Sequence, residues 1–132
     1  MTGNVVQSVK DFLAQQLSTA FHLGVQKERL VLDPGIGFGK TPDQNLAMLM
    51  HQADFRVLGQ PLLAGWSRKS TLGKLVALKC HEPLPADRLG ASLSAALLAV
   101  QKGAAIVRVH DVKETVQALK IWQAVQPNLS AE

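Results

Sequence analysis

The sequence predicts an α/β fold in which three parallel strands alternate with four helices, in the order α-β-α-β-α-β-α. Three short apolar runs would form the strands: LVL at 30–32, PLLAG at 61–65 and AAIVRV at 104–109. Strands this apolar are expected to be buried on both faces, as in a parallel sheet. Segments with helical periodicity separate the runs, which is typical of right-handed crossovers between parallel strands.

The helices are predicted from the spacing of apolar residues. The first runs from Val5 to Leu23, and Gly24 would cap its C-terminus. The second runs from Pro42 to Phe55, with Asp43 as its cap. Its core-facing residues are predicted to be Leu46, Leu49 and Met50. Later helices are predicted at 70–78, 87–103 and 112–125, with the segment CHEPLPAD as a break between the first two of these.

Length and composition indicate one globular domain, because 132 residues with 47% apolar content can bury a core. No apolar run approaches the roughly 20 residues of a membrane span, and the first residues lack the basic and apolar regions of a signal peptide. The single cysteine, Cys80, cannot form an internal disulfide and has no neighbouring base to activate it as a nucleophile. A cytoplasmic protein is expected.

The charge balance favours small anionic ligands. The net charge is +4 and the pI is about 9.5, which attracts anions. The basic residues are scattered, and four Phe, two Trp and no Tyr offer little for stacking bases. We therefore expect no nucleic-acid partner and no membrane partner. His22, His51 and His81 show no metal-ligand spacing and are expected at the surface.

Polar residues follow each predicted strand at its C-terminal end. Asp33 follows the first, SRKS at 67–70 follows the second, and RVHD at 108–111 overlaps the end of the third. Ligands bind at this edge in parallel α/β folds. The three clusters are therefore expected to line one cleft.

The first cluster lies in LVLDPGIGFGKT, residues 30–41. A nucleotide P-loop would need a glycine five residues before Gly39, and that position is Pro34. Asp33 is open to two interpretations: a turn starter before proline, or a carboxylate that accepts hydrogen bonds from the N–H and amino edge of a heterocycle. Phe38, between two glycines, would form a wall of the ligand site.

The second cluster lies in GWSRKSTLG, residues 65–73. Ser70 is predicted at or near the start of a helix, where it could hold a carboxylate or phosphate. The alternative is an ordinary capped helix whose Arg68 and Lys69 are solvated. The position of the loop at the strand edge favours the anion site.

The third cluster is IVRVHD, residues 106–111. A period of two places Ile106, Arg108 and His110 on one face. Arg108 supplies a forked donor beside His110, which suits a phosphate or pyrophosphate. Asp111 is predicted to cap the last helix.

A Ser-His-Asp hydrolase is an alternative use of the same residues. Ser67, His110 and Asp33 would be its members. No G-x-S-x-G elbow surrounds Ser67, and two adjacent cations would have no role in it. The anion-binding interpretation is therefore preferred.

Three motifs in this order, LDPGIGFGK, GWSRKS and RVHDVKET, resemble the C-terminal half of the dihydropteroate synthase family, the folate-pathway target of sulfonamides. The resemblance extends over about Val5 to Val125. It implies that residues 1–132 are a partial pterin-binding domain, the C-terminal half of a (β/α)8 barrel. The family's enzymes are transferases that join p-aminobenzoate to a dihydropterin methyl pyrophosphate, releasing pyrophosphate.

The resemblance also implies roles for particular residues. The pterin would contact Asp33, Gly65 and Lys69. The p-aminobenzoate would contact Phe38, Arg68, Lys69 and Ser70. Arg108 and His110 would hold the pyrophosphate, and the catalytic residues would be Lys69, Arg108 and His110. The family's reaction is thought to be dissociative, so stabilisation of the leaving group would carry most of it.

Mg²⁺ is the cofactor that the resemblance implies, and its ligand would lie in the N-terminal half, so no metal ligand is expected here. Three strands cannot close a barrel. A homodimer, or association with a missing N-terminal half, is therefore expected. Two alternatives stay open: a catalytically inactive half-barrel that keeps a pterin or anion pocket, and a different phosphate-binding (β/α)8 enzyme.

Overall fold

Five α-helices and a two-stranded parallel sheet make up the part of the chain that the computed structural model describes, residues 4–37, 39–78 and 81–126. This confirms the α/β class. The elements in order are α1 Val5–His22, α2 Pro42–Met50, β1 Leu62–Ala64, α3 Ser70–Leu75, α4 Leu89–Gln101, β2 Ala104–Val107 and α5 Val112–Ala124. Short 3-10 turns occupy Lys27–Arg29, Gln52–Leu58 and Pro85–Asp87.

Strand β1 lies between β2 and the segment around Leu32. Strand β2 runs parallel to β1, with Leu63 opposite Ile106 and Ala64 opposite Val107. On the other side, the first predicted strand forms only one parallel bridge, between Leu32 and Leu62. The three runs thus lie side by side as predicted, but within the described residues only two of them form strands.

The break predicted between residues 70–78 and 87–103 is confirmed, because α3 and α4 are separate helices with the Pro85–Asp87 turn between them. The described residues therefore hold five α-helices, one more than the α-β-α-β-α-β-α order allows, and the ends of the helices also differ from the prediction. Helix α2 is capped by Thr41 rather than Asp43, through a capping box in which Thr41 and Gln44 exchange hydrogen bonds. Its core-facing methionine is Met48, which is 1% exposed, whereas Met50 is 66% exposed.

The core lies between β1 and the helices that precede and follow it. Phe55 and Met48 are its most deeply buried large side chains. Buried residues from α1, α2, α3, α4, both strands and the segments that connect them form one cluster: Leu13, Leu17, Leu32, Ile36, Met48, Leu49, Phe55, Leu62, Ala64, Trp66, Leu72, Ala95, Ala99 and Ala104. This core fixes the strands, and hence the loops that follow their C-terminal ends.

Apolar side chains remain exposed at both edges of the sheet. Val31 beside the Leu32 bridge is 46% exposed, and Ile106 in β2 is 43% exposed. Within the described residues, β2 pairs with β1 alone. Both edges therefore offer unpaired backbone groups and apolar surface to a further element. No helix in the described part of the chain is long and apolar enough to cross a membrane.

Candidate functional site

The three polar clusters meet in one cavity of about 640 Å³ at the C-terminal ends of the strands. Its lining consists of Asp33, Gly65, Ser67, Arg68, Lys69, Pro85, Arg108, Val109 and His110. The expectation of a single cleft is confirmed. Six of the eight residues predicted for the site line it. Of the other two, Ser70 is exposed in the first turn of α3 and does not line this cavity, and Phe38 lies outside the described residues.

Asp33 connects the first cluster to the third. One carboxylate oxygen, Oδ1, accepts the backbone N–H of Gly35 at 2.9 Å. The other, Oδ2, accepts from Nη1 of Arg108 at 3.0 Å. The turn interpretation of Asp33 is therefore confirmed, and its carboxylate lines the cavity beside a cation. The binding of a heterocycle by Asp33 stays a prediction.

Gly65 provides the space that the Arg108 guanidinium occupies. A Cβ built on Gly65 would lie 2.5 Å from Nη2 and 3.0 Å from Cζ of Arg108. The backbone N–H of Arg108 also donates to the carbonyl of Ala64 at 2.9 Å. The backbone of Arg108 is thus bonded to Ala64 of β1, and its guanidinium lies against Gly65, the residue that follows Ala64.

Arg68 adopts a left-handed backbone conformation, with φ of 58°, that is uncommon outside glycine. Helix α4 and the turn before it hold both of its peptide groups: its N–H donates to Oγ of Ser92, and its carbonyl accepts from Nη1 of Arg88, each at 2.9 Å. Its side chain forms an ion pair with Asp111, Nη2 to Oδ1 at 3.0 Å. Asp111 occupies the N-cap position of α5 as predicted, but its carboxylate contacts Arg68 and makes no cap hydrogen bond to the helix.

Lys69 and Ser70 lie where α3 begins. Lys69 is the N-cap and Ser70 the first helical residue, so Ser70 is one position further into the helix than an N-cap. A Cβ on Gly37 would lie 3.3 Å from Cδ of Lys69. The Lys69 side chain therefore passes over Gly37 and joins the second cluster to the first.

His110 is bonded to Ser67 through both its backbone and its ring. Oγ of Ser67 accepts the backbone N–H of His110 at 3.1 Å and lies 2.9 Å from Nδ1 of the same residue. Asp33, the third member of the hydrolase alternative, contacts Gly35 and Arg108 instead. The described contacts therefore do not assemble a Ser-His-Asp triad.

Two further residues that sequence reasoning missed hold the loop after Asp33. Asn45, which is 2% exposed, accepts the N–H of Gly37 at 2.9 Å and donates to Oγ1 of Thr71 at 2.8 Å. It thereby links the first loop to α3. The signal available in the sequence was that Asn45, a polar residue, lies three residues before the apolar Met48 in a helical segment.

Lys40 is the second of these residues. Its ammonium donates to the carbonyls of Gly35 at 2.7 Å and Pro34 at 3.3 Å. Burial lowers the pKa of Lys40 from its ordinary 10.5, and the nearby negative charge of Asp33 opposes that shift. The cation is thus held at some cost to fix the turn that presents Asp33.

The described residues contain no group of three or more His, Cys, Asp or Glu side chains that could hold a metal ion. The cavity instead presents two arginines, a lysine and a histidine around one carboxylate, Asp33, with Asp111 behind Arg68. Such a surface can bind an anion and, beside it, a group that donates hydrogen bonds to a carboxylate.

Comparison with known proteins gives consistent results. The family described as pterin binding enzyme matches residues 1–110. Dihydropteroate synthase of Escherichia coli (strain K12) is 41% identical over 121 residues, which are 92% of this chain and 41% of that protein.

Two solved structures have the same fold over nearly the whole chain. Dihydropteroate synthase from Stenotrophomonas maltophilia, with imidazole bound in its active site, superposes with a TM-score of 0.89 at 49% identity, covering 95% of this chain and 46% of that one. The enzyme from Xanthomonas albilineans in complex with 7,8-dihydropteroate gives 0.90 at 44% identity, covering 96% and 48%. The chain thus spans less than half the length of these relatives.

Proposed function

This chain belongs to the family of pterin binding enzymes, and we propose that it is the C-terminal part of a dihydropteroate synthase. The reaction would condense p-aminobenzoate with 6-hydroxymethyl-7,8-dihydropterin pyrophosphate, giving 7,8-dihydropteroate and pyrophosphate in folate biosynthesis. One observation supports this most directly: a carboxylate, Asp33, and a donor pair, Arg108 and His110, line the same cavity.

The pterin would bind at Asp33, against Gly65 and Lys69. An ionised carboxylate has about four lone-pair positions, and Asp33 uses two of them on Gly35 and Arg108. The remaining positions can accept hydrogen bonds from the ring N–H and the amino group of a pterin. A carboxylate forms stronger hydrogen bonds with such donors than a neutral acceptor does.

The pyrophosphate would bind at Arg108 and His110. As the pterin C–O bond breaks, its electron pair moves to the departing pyrophosphate oxygen, and the amine nitrogen of p-aminobenzoate forms the new bond to the methylene carbon before losing a proton. N–H donors aimed at the leaving group stabilise the charge that develops there. Lys69, which joins the clusters over Gly37, would add a second positive charge beside Arg108 as a catalytic group.

The p-aminobenzoate would lie toward Lys69, Arg68 and Ser70, with Phe38 as the remaining proposed contact. Arg68 is fixed by Asp111, so its charge is positioned before the carboxylate arrives. A relative from Xanthomonas albilineans has been solved with 4-aminobenzoic acid, which supports this substrate class. Sulfonamides would compete at this position.

Mg²⁺ remains a proposed cofactor. It prefers oxygen ligands in octahedral geometry, whereas Arg108 and His110 offer N–H donors to the anion. The cavity residues therefore do not fit a Mg²⁺ site, and any Mg²⁺ would contact the pyrophosphate from groups outside this chain.

The exposed sheet edges support a further proposal about partners. Val31 and Ile106 are each more than 40% exposed beside strand backbone, and such edges are normally paired or covered. We propose that the chain functions when joined to the remaining strands of a barrel, or failing that as a homodimer. The cytoplasm is the proposed compartment, since a single cysteine suits a reducing environment.

Calorimetric titration of the 132-residue chain with pyrophosphate and with a pterin tests the binding proposal. Replacing Arg108 by Lys keeps the charge but loses the fork, so pyrophosphate affinity should fall more than pterin affinity. Equal losses would contradict an anion site at Arg108, and a folded chain that binds neither ligand would contradict the proposed function.

A synthase assay alongside light scattering distinguishes a part of an active synthase from a catalytically inactive pocket. We expect no turnover from the chain alone, and turnover only once the other barrel strands are supplied. Ligand binding without turnover even then would favour the catalytically inactive pocket. An active monomer would show that the exposed edges need no partner.

A further inference from the structure

Ser67 is a buried hydroxyl in the cavity wall to which the proposed chemistry gives no role. Only 6% of the residue is exposed. It follows β1, directly beside the segment in which His110 follows β2. Its oxygen lies 3.1 Å from the backbone nitrogen and 2.9 Å from the ring Nδ1 of His110. A single side-chain atom therefore contacts His110 at two points.

We propose that Ser67 is a positioning residue that holds the His110 ring as the Nε2–H tautomer, with Nδ1 as an acceptor. A serine hydroxyl has one donor hydrogen and two lone pairs. One lone pair accepts the backbone N–H of His110. Among the described protein groups the hydroxyl is bonded to His110 alone, so Nδ1 is the protein acceptor that its hydrogen can reach.

The opposite arrangement would be costly. If Nδ1 carried the proton and donated to Ser67, the oxygen would accept twice and the buried hydroxyl hydrogen would have no partner. A buried polar group that loses its hydrogen-bond partner is destabilising. Donation from Ser67 to Nδ1 avoids that cost and leaves the proton on Nε2, at the far side of the ring, in the cavity that His110 lines.

The same geometry argues against Ser67 as a nucleophile. A catalytic serine hydrogen-bonds Nε2 of its histidine, while an acid orients Nδ1. Here the serine occupies Nδ1, and the carboxylate that could have completed a triad, Asp33, is paired with Arg108.

The consequence for ligand binding rests on the proposed function. A neutral imidazole fixed as Nε2–H donates a hydrogen bond to a pyrophosphate oxygen without first gaining a proton. The contact to the backbone N–H also fixes the strand end that carries Arg108 and His110 together. Loss of the Ser67 hydroxyl should therefore weaken pyrophosphate binding about tenfold, as expected for one net hydrogen bond of ~1 kcal/mol or slightly more.

The direct test is nitrogen-15 NMR of the histidine rings in the ligand-free 132-residue chain at about pH 8, where an ordinary histidine is neutral. The chain has four histidines, and a His110→Gln variant assigns the signal of interest. We expect Nδ1 of His110 to be unprotonated and hydrogen-bonded. A protonated Nδ1 would overturn the proposal without any variant being needed.

Three variants complete the experiment. Ser67→Ala should change the Nδ1 signal and lower pyrophosphate affinity, and Ser67→Thr, which keeps a hydroxyl, should restore both. Ser92→Ala is the matched control, because Ser92 is equally buried at 6% but bonds the N–H of Arg68 instead. It should leave the His110 signal unchanged.

The outcomes separate the two proposals. An unchanged Nδ1 signal in Ser67→Ala would overturn the role of Ser67 even if the chain binds pyrophosphate. The expected signals in a chain that binds no pyrophosphate would support the Ser67–His110 pairing and contradict the proposed function.

Discussion

Replacing Gly65 by alanine should weaken anion binding without unfolding the protein. The new Cβ would lie 2.5 Å from Nη2 of Arg108, against the roughly 3.5 Å of an ordinary contact. The guanidinium must therefore move by about 1 Å. The backbone of Gly65 does not need a left-handed conformation, since it is absent from the glycines with positive φ, so alanine is otherwise allowed.

The two expected effects differ in size. Displacement stretches the ion pair between Arg108 and Asp33, but these side chains are 50% and 37% exposed, and exposed pairs contribute about 0–1 kcal/mol. The free energy of unfolding should thus fall by less than about 1 kcal/mol. A charged hydrogen bond to the anion contributes about 1.5–3 kcal/mol, so pyrophosphate affinity should fall by about 10- to 150-fold.

Calorimetric titration with pyrophosphate and denaturation by urea measure these two quantities. Gly90→Ala is the control, because a Cβ there meets nothing within 4 Å and its φ is not positive. It should leave affinity unchanged and, in the first turn of α4, slightly raise stability. If Gly65→Ala bound pyrophosphate as tightly as the unaltered chain, the placement of Arg108 across Gly65 would not matter for binding, and the argument would be refuted.

Three further predictions concern the supports of the cavity. Gly73→Ala brings a Cβ to 2.7 Å from Arg88, whose side chain is only 11% exposed and donates to two carbonyls. We expect the free energy of unfolding to fall by about 1–3 kcal/mol. An unchanged value by urea denaturation would contradict this. Asp33→Asn keeps an acceptor for the N–H of Gly35, so the free energy of unfolding should change by less than about 1 kcal/mol. Pterin affinity measured by calorimetry should fall at least tenfold, and an unchanged affinity in a folded variant would show that Asp33 does not bind the pterin. Burial lowers the pKa of Lys40, so the unfolded chain binds more protons than the folded chain between that lowered pKa and 10.5. The free energy of unfolding should therefore rise with pH in this window relative to that of Lys40→Arg, which stays charged. A difference in unfolding free energy between the two proteins that does not change with pH would argue against the shift.

The convergence of the site could be predicted because it follows from a general rule. Parallel strands place their C-terminal ends at one edge, so Asp33, Arg68 and Arg108 could be brought together from their positions after apolar runs. The resemblance then supplied roles that spacing alone left open.

Pairings between loops could not be predicted in the same way. Asp111 follows a strand and precedes a helix, which is typical of a cap, yet Arg68 offers its carboxylate a charged partner from another loop. The first strand is reduced to the bridge at Leu32, because β1 is its only neighbour in the described chain. Met48 rather than Met50 is buried because α2 turns the face with Asn45, Met48 and Leu49 inward, and the apolar spacing alone left that face open to choice.

The ion pair between Asp33 and Arg108 joins residues 75 positions apart in the chain. Contacts of such long range form after local ones, since the loop between the partners must be closed first. Both crossovers must be in place before this pair can meet, whereas α1 and α2 can associate without it. We therefore expect the cavity to form late in folding, and an opening that separates the Leu32 segment from β1 would take Asp33 away from Arg108 while most of the helices survive. Binding of the proposed ligands at this cavity would therefore report on the completion of the sheet in the described residues.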